Sequence, residues 1–139
     1  MLVSEEYVNF VEETYNKNYT VEMAACALIE EFQEFGESQT TDEFGDILYQ
    51  LTLFGILLNI PFGSMLICDA DAMLYTYITK ITSQYKKHIT RGKELDKELI
   101  IKYYSNICSL VMKLAKYYDC DIKSIEQENI KKLNERYSK

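Results

Sequence analysis

The chain has 139 residues and a formal net charge of −7, with 47% hydrophobic and 27% charged residues. This length predicts one domain with a substantial buried core, and the acidity argues against a nucleic-acid partner. The opening MLVSEEYV lacks the basic segment and apolar run of a secretory signal. With one Pro, five Gly and little alternation of polar and apolar residues, the sequence predicts an all-α helical bundle.

The first two predicted helices are amphipathic. Ser4 is expected to cap a helix over residues 5–16, which the stretch NKNYT then ends. Thr20 begins the second helix, whose apolar stripe continues to Gly36, the expected C-cap.

The third predicted helix covers residues 42–58 and is apolar on most sides, which favours a central, buried position. Pro61 is expected to end it. The apolar run over residues 47–67 is long enough to suggest a transmembrane helix. Gln50 and Asn59 interrupt this run and no basic residue flanks it, so we expect no membrane partner.

The second half of the chain predicts three further helices. The fourth covers residues 69–90 and ends in the basic segment YKKHITRGK, with Gly92 as its cap. The fifth covers residues 95–118. Ser124 and Gln127 have the spacing of a capping box for the last helix.

The cysteines indicate the compartment. Cys26, Cys68, Cys108 and Cys120 show no zinc-ligand spacing, so we expect buried, reduced thiols in a cytoplasmic protein.

The charge is divided between two parts of the single domain, 1–139. Residues 1–79 carry 14 acidic side chains and one basic one, whereas residues 80–139 carry 8 acidic and 14 basic ones. We therefore distinguish an acidic, metal-binding half, 1–60, from a basic half, 69–139. An anionic ligand such as a nucleotide triphosphate can bind between two such halves.

Carboxylates are paired on the second and third helices. Glu31 and Glu34 share one helix face, as do Glu43 and Asp46, and a hairpin turn must bring the two faces together. No Lys, Arg or His occurs between Asn18 and Thr79 to neutralise them. Such a cluster favours Mg²⁺, with Mn²⁺ as a substitute. The alternative is that these acids only cap helices, since Thr40 and Glu43 form a capping box.

The strings ALIEEFQEFGE and DEFGDILYQL, which contain these pairs, resemble the all-α nucleoside triphosphate pyrophosphohydrolases of the MazG type. The opening SEEYVNFVEET and the tail NIKKLNERY, residues 129–137, are also similar to that family. The linker between the two acidic pairs is shorter than the family's common range. The resemblance implies Mg²⁺-dependent hydrolysis of a nucleoside triphosphate to the monophosphate and pyrophosphate.

The resemblance also implies a role for individual residues. The metal ligands would be Glu31, Glu34, Glu43 and Asp46, and Glu30 with Glu31 would orient or deprotonate the water. The predicted substrate-binding residues are Lys132 and Arg136, with Lys86, Lys87, Asn129 and Tyr137.

A weak internal repeat is also predicted, because residues 70–137 align with the same family pattern. In that register, Tyr77 and Lys80 replace the first acidic pair, and Tyr103 and Asn106 replace the second. The second copy would therefore be a tandem helical unit without metal ligands.

Two alternatives to the enzyme stay open. One is a non-catalytic protein that binds or senses a nucleotide, and the other is a structural bundle without a ligand. Apolar residues on the third, fourth and fifth helices predict a homodimer or larger homo-oligomer.

Overall fold

The structure is a computed structural model that describes residues 2–63 and 72–137. Within these ranges the chain forms six helices and no β strand. The helices are α1 (Glu5–Thr14), α2 (Val21–Ser38), α3 (Thr41–Leu57), α4 (Leu74–Arg91), α5 (Lys97–Tyr117) and α6 (Ile122–Tyr137). The predicted all-α bundle is confirmed.

Helix α3 is the centre of the bundle, as its apolar composition predicted. It packs against α1, α2 and α6. Tyr104 of α5 also reaches it and donates a 2.7 Å hydrogen bond to the carbonyl oxygen of Leu51. Most of α3 is buried, including Phe44, Ile47 and Phe54. Side chains on this helix are therefore surrounded by the other elements.

Helices α2 and α3 form a hairpin with a tight turn. Helix α2 ends at Gln39, which adopts a left-handed conformation, and Thr40 caps α3 by accepting a 3.3 Å hydrogen bond from the backbone N–H of Glu43. The prediction that Gly36 is the C-cap was wrong. Its neighbour Phe35 is buried in the core, so tertiary packing keeps the last turn helical despite the low helix propensity of glycine.

Helices α4 and α5 form a second hairpin. Gly92 ends α4 with a positive φ of 65°, as predicted. Asp96 caps α5 by accepting a 3.1 Å hydrogen bond from the backbone N–H of Leu99, and its own N–H donates to Gln84 Oε1. These bonds satisfy backbone groups that a helix terminus otherwise leaves unpaired.

Helices α1 and α6 are joined by side chains. The Glu126 carboxylate is buried and accepts hydrogen bonds from the backbone N–H and hydroxyl of Ser4, the N-cap of α1. Tyr7 donates a 2.7 Å hydrogen bond to Asn129 Oδ1. Helix α6 begins at Ile122, so the predicted capping box at Ser124 was wrong and that residue lies in the first turn.

Two further predictions concern the membrane and the cysteines. Across the described ranges, no helix has both the length and the apolarity that a membrane crossing needs. Cys108 is a buried free thiol, as predicted, and Cys120 is half-buried. The prediction was wrong for Cys26, which is exposed on α2, and Cys68 lies outside the described residues.

Candidate metal centre

The α2–α3 hairpin brings the predicted carboxylates together. Glu31, Glu43 and Asp46 each offer a carboxylate oxygen, and these atoms lie within 4.8 Å of one another. The fourth predicted ligand, Glu34, is exposed on α2 and is not among these three, but its charge contributes to raising the pKa of both Glu31 and Glu43. Helical spacing places each pair on one face, and the hairpin turns the two faces toward each other. We refer to these four residues as the acidic cluster.

The close approach of like charges changes the acidity of the acidic cluster. Burial, followed by the charges of Asp46, Glu34 and Glu43, raises the pKa of Glu31 to about 7. The pKa of Glu43 is also raised, first by burial and then by Asp46 and Glu34. Both shifts mean that the charged form is disfavoured at this position. The cluster therefore favours binding a proton or a cation.

The hydrogen-bonding pattern also indicates that the acidic cluster favours a proton or a cation. Oε2 of Glu31 and Oε2 of Glu43 are buried and find no hydrogen-bond partner in the described part of the chain. Ionised carboxylates only accept hydrogen bonds, so they cannot satisfy each other. Mg²⁺ binds such oxygens at about 2.0–2.1 Å, which places two ligand atoms at most about 4.2 Å apart. That widest separation belongs to ligands on opposite sides of the ion, and among three ligands of an octahedral ion at least two pairs are adjacent, about 3.0 Å apart. The donor types present therefore fit Mg²⁺, and its binding would draw these oxygens closer together.

Helix α6 contributes one cation to the acidic cluster. Lys132 Nζ lies 2.9 Å from Asp46 Oδ1 and 3.2 Å from Asp42 Oδ1. Burial lowers the pKa of Lys132, but hydrogen bonds with Asp46 and Asp42 outweigh this effect and the pKa is raised overall. The lysine is therefore charged and is bound to a predicted metal ligand.

A cavity of about 500 Å³ lies beside the acidic cluster. Glu31 and Asp46 line it together with Arg136 and Tyr137 of α6, two of the predicted substrate-binding residues. The other lining residues are Thr14, Tyr15, Asn16, Tyr19, Tyr49, Gln50, Leu53 and Leu133. The cavity thus contains acidic, basic, aromatic and apolar groups.

The structure does not bring every predicted site residue to this cavity. Glu30 is exposed on α2 and does not line it. Lys86 and Lys87 are exposed on α4, and Lys86 lines a separate groove with Glu22. These three predicted residues are therefore given no role in the cavity.

Asn129 has a packing role in the described structure. It is buried, and its Oδ1 accepts the hydrogen bond from Tyr7. A Cβ atom at Gly45 would lie only 3.2 Å from its Nδ2, so glycine allows α3 and α6 to approach each other here. Asn129 thus fixes the position of α6, which carries Lys132 and Arg136.

Sequence reasoning missed the aromatic and amide groups of the cavity. Tyr15 and Tyr19 come from the segment between α1 and α2, which has no helical period. Tyr49 and Gln50 could have been found, because they follow Asp46 by three and four residues and so share its helix face. Phe35 on α2 does not line the cavity and packs edge-on against Phe44 in the core.

The four positions of the predicted second copy meet in the α4–α5 hairpin. The rings of Tyr77 and Tyr103 have centroids 6.3 Å apart, and Lys80 Nζ lies 5.3 Å from the Tyr103 centroid. Asn106 is buried nearby on α5. Aromatic and cation–π contacts thus occur where the first hairpin has carboxylates.

Comparisons of this chain with protein-family models, with curated proteins and with solved structures gave no match. Function is therefore argued from the chemistry of the cavity, since a helical bundle alone supports many activities.

Proposed function

We propose that the protein hydrolyses a nucleoside triphosphate to the monophosphate and pyrophosphate, using Mg²⁺ or, in its place, Mn²⁺. The observation that carries the proposal is the shared cavity, in which the carboxylates of Glu31 and Asp46 lie with Arg136. A triphosphate needs a cation for its oxygens and a basic side chain for its remaining charge. The resemblance to MazG-type pyrophosphohydrolases supports the same reaction.

The acidic cluster and Arg136 have distinct roles in this proposal. Glu31, Glu34, Glu43 and Asp46 would hold the ion, which when bound would offset phosphate charge and lower the pKa of a water molecule. Arg136 binds phosphate oxygens through its guanidinium group.

Glu31 is the candidate proton acceptor. Hydrolysis breaks the P–O–P bridge between the α and β phosphates, water supplies the new P–O bond, and the proton of that water passes to a carboxylate. Its carboxylate lines the cavity, so it can accept the proton of a water molecule that lies there. Glu30 was the other candidate, but it is exposed and does not line the cavity.

Pyrophosphate release from a panel of ribo- and deoxynucleoside triphosphates tests the proposal. We expect monophosphate and pyrophosphate in equal amounts, with loss of activity on chelation of Mg²⁺ or in Asp46→Asn. Glu37→Gln is the matched control, because Glu37 is an exposed acid on α2 and does not line the cavity. Absence of turnover with every triphosphate, in both Mg²⁺ and Mn²⁺, would reject the proposal.

A second candidate is a protein that binds a nucleotide without hydrolysing it. The ion pair between Lys132 and Asp46 favours it, because the ammonium group occupies one oxygen of a proposed metal ligand. Titration calorimetry that detects triphosphate binding, combined with no product in the turnover assay, would select this alternative. Calorimetry that detects neither Mg²⁺ nor nucleotide would leave a structural bundle.

We also propose that the protein is a homodimer or larger homo-oligomer. Large apolar side chains are exposed on α4 and α5: Met73 next to α4 is 69% exposed, Ile89 is 68% exposed and Tyr117 is 82% exposed. A contiguous apolar patch marks an interaction surface, and in this proposal these side chains contribute to one. Light scattering at micromolar concentration tests this, and a monomer would contradict it.

A further inference from the structure

Gln50 is a cavity residue to which the proposed chemistry gives no role. It lies on α3, and its Oε1 is buried without a hydrogen-bond partner in the described part of the chain. A buried polar atom without a partner is unfavourable and uncommon in folded proteins. Among the described lining residues, only Glu31 shares this property, and it belongs to the acidic cluster.

Two hydroxyl groups and one aromatic ring of the cavity already have partners. The hydroxyl groups of Tyr49 and Thr14 are 3.0 Å apart and hydrogen-bonded to each other. Lys17 Nζ lies 3.6 Å from the centroid of the Tyr15 ring and covers one of its faces. In the described part of the chain, Gln50 therefore has an acceptor atom without a partner, whereas the hydroxyl groups of Tyr49 and Thr14 are bonded to each other.

The position of Gln50 on α3 suggests which part of a nucleotide it meets. Asp46, Gln50 and Leu53 share one helix face and all line the cavity. At 1.5 Å per residue, Gln50 is about 6 Å along the axis from Asp46, and Leu53 is about 10 Å from it. A nucleotide with its phosphates at Asp46 and its base toward Leu53 places its sugar beside Gln50.

We propose that Gln50 binds a hydroxyl group of the nucleotide sugar and sets the sugar preference of the cavity. The inference rests on the proposed function. A hydroxyl group both donates and accepts, so it satisfies the amide in either of its two orientations. This binding requires the side chain to turn its amide into the cavity, which Gln50 lines.

The test compares UTP, dUTP and 2′,3′-dideoxyuridine triphosphate as substrates, with kcat/KM measured at saturating Mg²⁺. For the wild type, we expect kcat/KM to fall by at least about fivefold at one step of this series, either from UTP to dUTP or from dUTP to the dideoxynucleotide. This is the loss expected when a hydrogen bond to a buried group is removed. In Gln50→Leu and Gln50→Met, the change in kcat/KM at that same step should be no more than about twofold. Gln127→Leu is the control, since Gln127 is exposed on α6, and it should keep the wild-type ratio.

Four results would overturn the inference in distinguishable ways. A wild type that uses all three nucleotides equally rejects it without any variant, so misfolding of a variant cannot obscure the answer. Variants at Gln50 that keep the wild-type sugar ratio also reject it. If they instead lose discrimination between uracil and cytosine nucleotides, Gln50 contacts the base. A wild type that hydrolyses no triphosphate removes the proposed function itself, and the sugar assignment with it.

Discussion

The α2–α3 and α4–α5 hairpins have the same plan but opposite chemistry. In each, the first helix ends in a left-handed residue, Gln39 or Gly92, and the second begins with a polar cap, Thr40 or Asp96. The facing side chains differ. The first hairpin brings carboxylates together, whereas the second brings together two tyrosine rings and a lysine.

The difference separates a hairpin whose facing side chains stabilise the fold from one whose facing side chains are unfavourable for it. Tyr77 and Tyr103 gain from their contact, as aromatic pairs in a core do. The carboxylates of the acidic cluster are removed from water and repel one another, and burial first, then the neighbouring charges, raise the pKa values of Glu31 and Glu43. An unfavourable arrangement in an otherwise well-packed bundle points to a function that needs it.

The largest effect is expected from removing one carboxylate of the α2–α3 hairpin. Glu31→Gln should lower Mg²⁺-dependent pyrophosphate release by at least about 100-fold, because both a ligand and the proton acceptor are lost. The matched control is Glu37→Gln, which should keep the wild-type rate. Near-normal turnover of Glu31→Gln at saturating Mg²⁺ would exclude Glu31 from the site.

The next effect concerns the packing of the second hairpin. Tyr77→Ala should lower the free energy of unfolding by about 3 kcal/mol, the range for truncating a buried aromatic residue, since Tyr77 is only 3% exposed. Tyr75→Ala on the same helix, where the side chain is 41% exposed, should cost about 1 kcal/mol or less. Chemical denaturation measures the free energy of unfolding of both variants. Equal decreases would show that the buried contact of Tyr77 adds no more stability than the exposed Tyr75.

A pH titration distinguishes the hairpins without changing the packing. The pKa of Glu31 is about 7 in the folded protein, against an ordinary value of 4.5, so between these pH values the folded protein holds a proton on Glu31 that the unfolded chain releases. The free energy of unfolding of the metal-free protein should therefore fall as pH rises through this window. Because Glu31 is partly solvated, we expect a change on the order of 1 kcal/mol.

Thermal or chemical unfolding of the metal-free protein between about pH 4.5 and pH 7 measures the slope of the free energy of unfolding against pH. Glu31→Gln should flatten it, and Glu37→Gln should not. An unchanged slope in Glu31→Gln would show that another group causes the pH dependence.

The smallest effect concerns the lysine that α6 adds to the acidic cluster. Lys132→Met should tighten Mg²⁺ binding in the absence of nucleotide by up to about fivefold, because a competing positive charge leaves Asp46. Titration calorimetry measures it, with Lys131→Met as the exposed neighbouring control. Weaker binding in Lys132→Met would mean instead that the lysine positions Asp46 for the ion.

Features that depend on neighbouring residues were predicted well from the sequence. Ser4, Thr20 and Thr40 cap helices as expected, because a cap bonds to a backbone N–H three residues away. The pairing of carboxylates on α2 and α3 follows from helical spacing alone. The end of α2 was not predictable in this way, since the burial of Phe35 keeps Gly36 in a helix.

The rest of the site depends on how α6 lies against α1 and α3. The sequence indicates that Lys132 and Arg136 share a face, but not that Lys132 reaches Asp46 while Arg136 reaches the cavity. The burial of Asn129 against Tyr7 is likewise a tertiary contact. Glu30 differs from Glu31 by one position, and about 100° of helical rotation keeps it outside the cavity.

The bonds from Ser4 to Glu126 and from Tyr7 to Asn129 each span 122 positions of the chain. During synthesis, α1 cannot complete these contacts until α6 has left the ribosome. The same helix brings Lys132 to Asp46, 86 positions earlier. At a synthesis rate of about 5–20 residues per second, Lys132 is added to the chain roughly 4–17 s after Asp46 of the α2–α3 hairpin. We therefore expect the nascent hairpin to rely on protons or cellular cations until the last helix arrives.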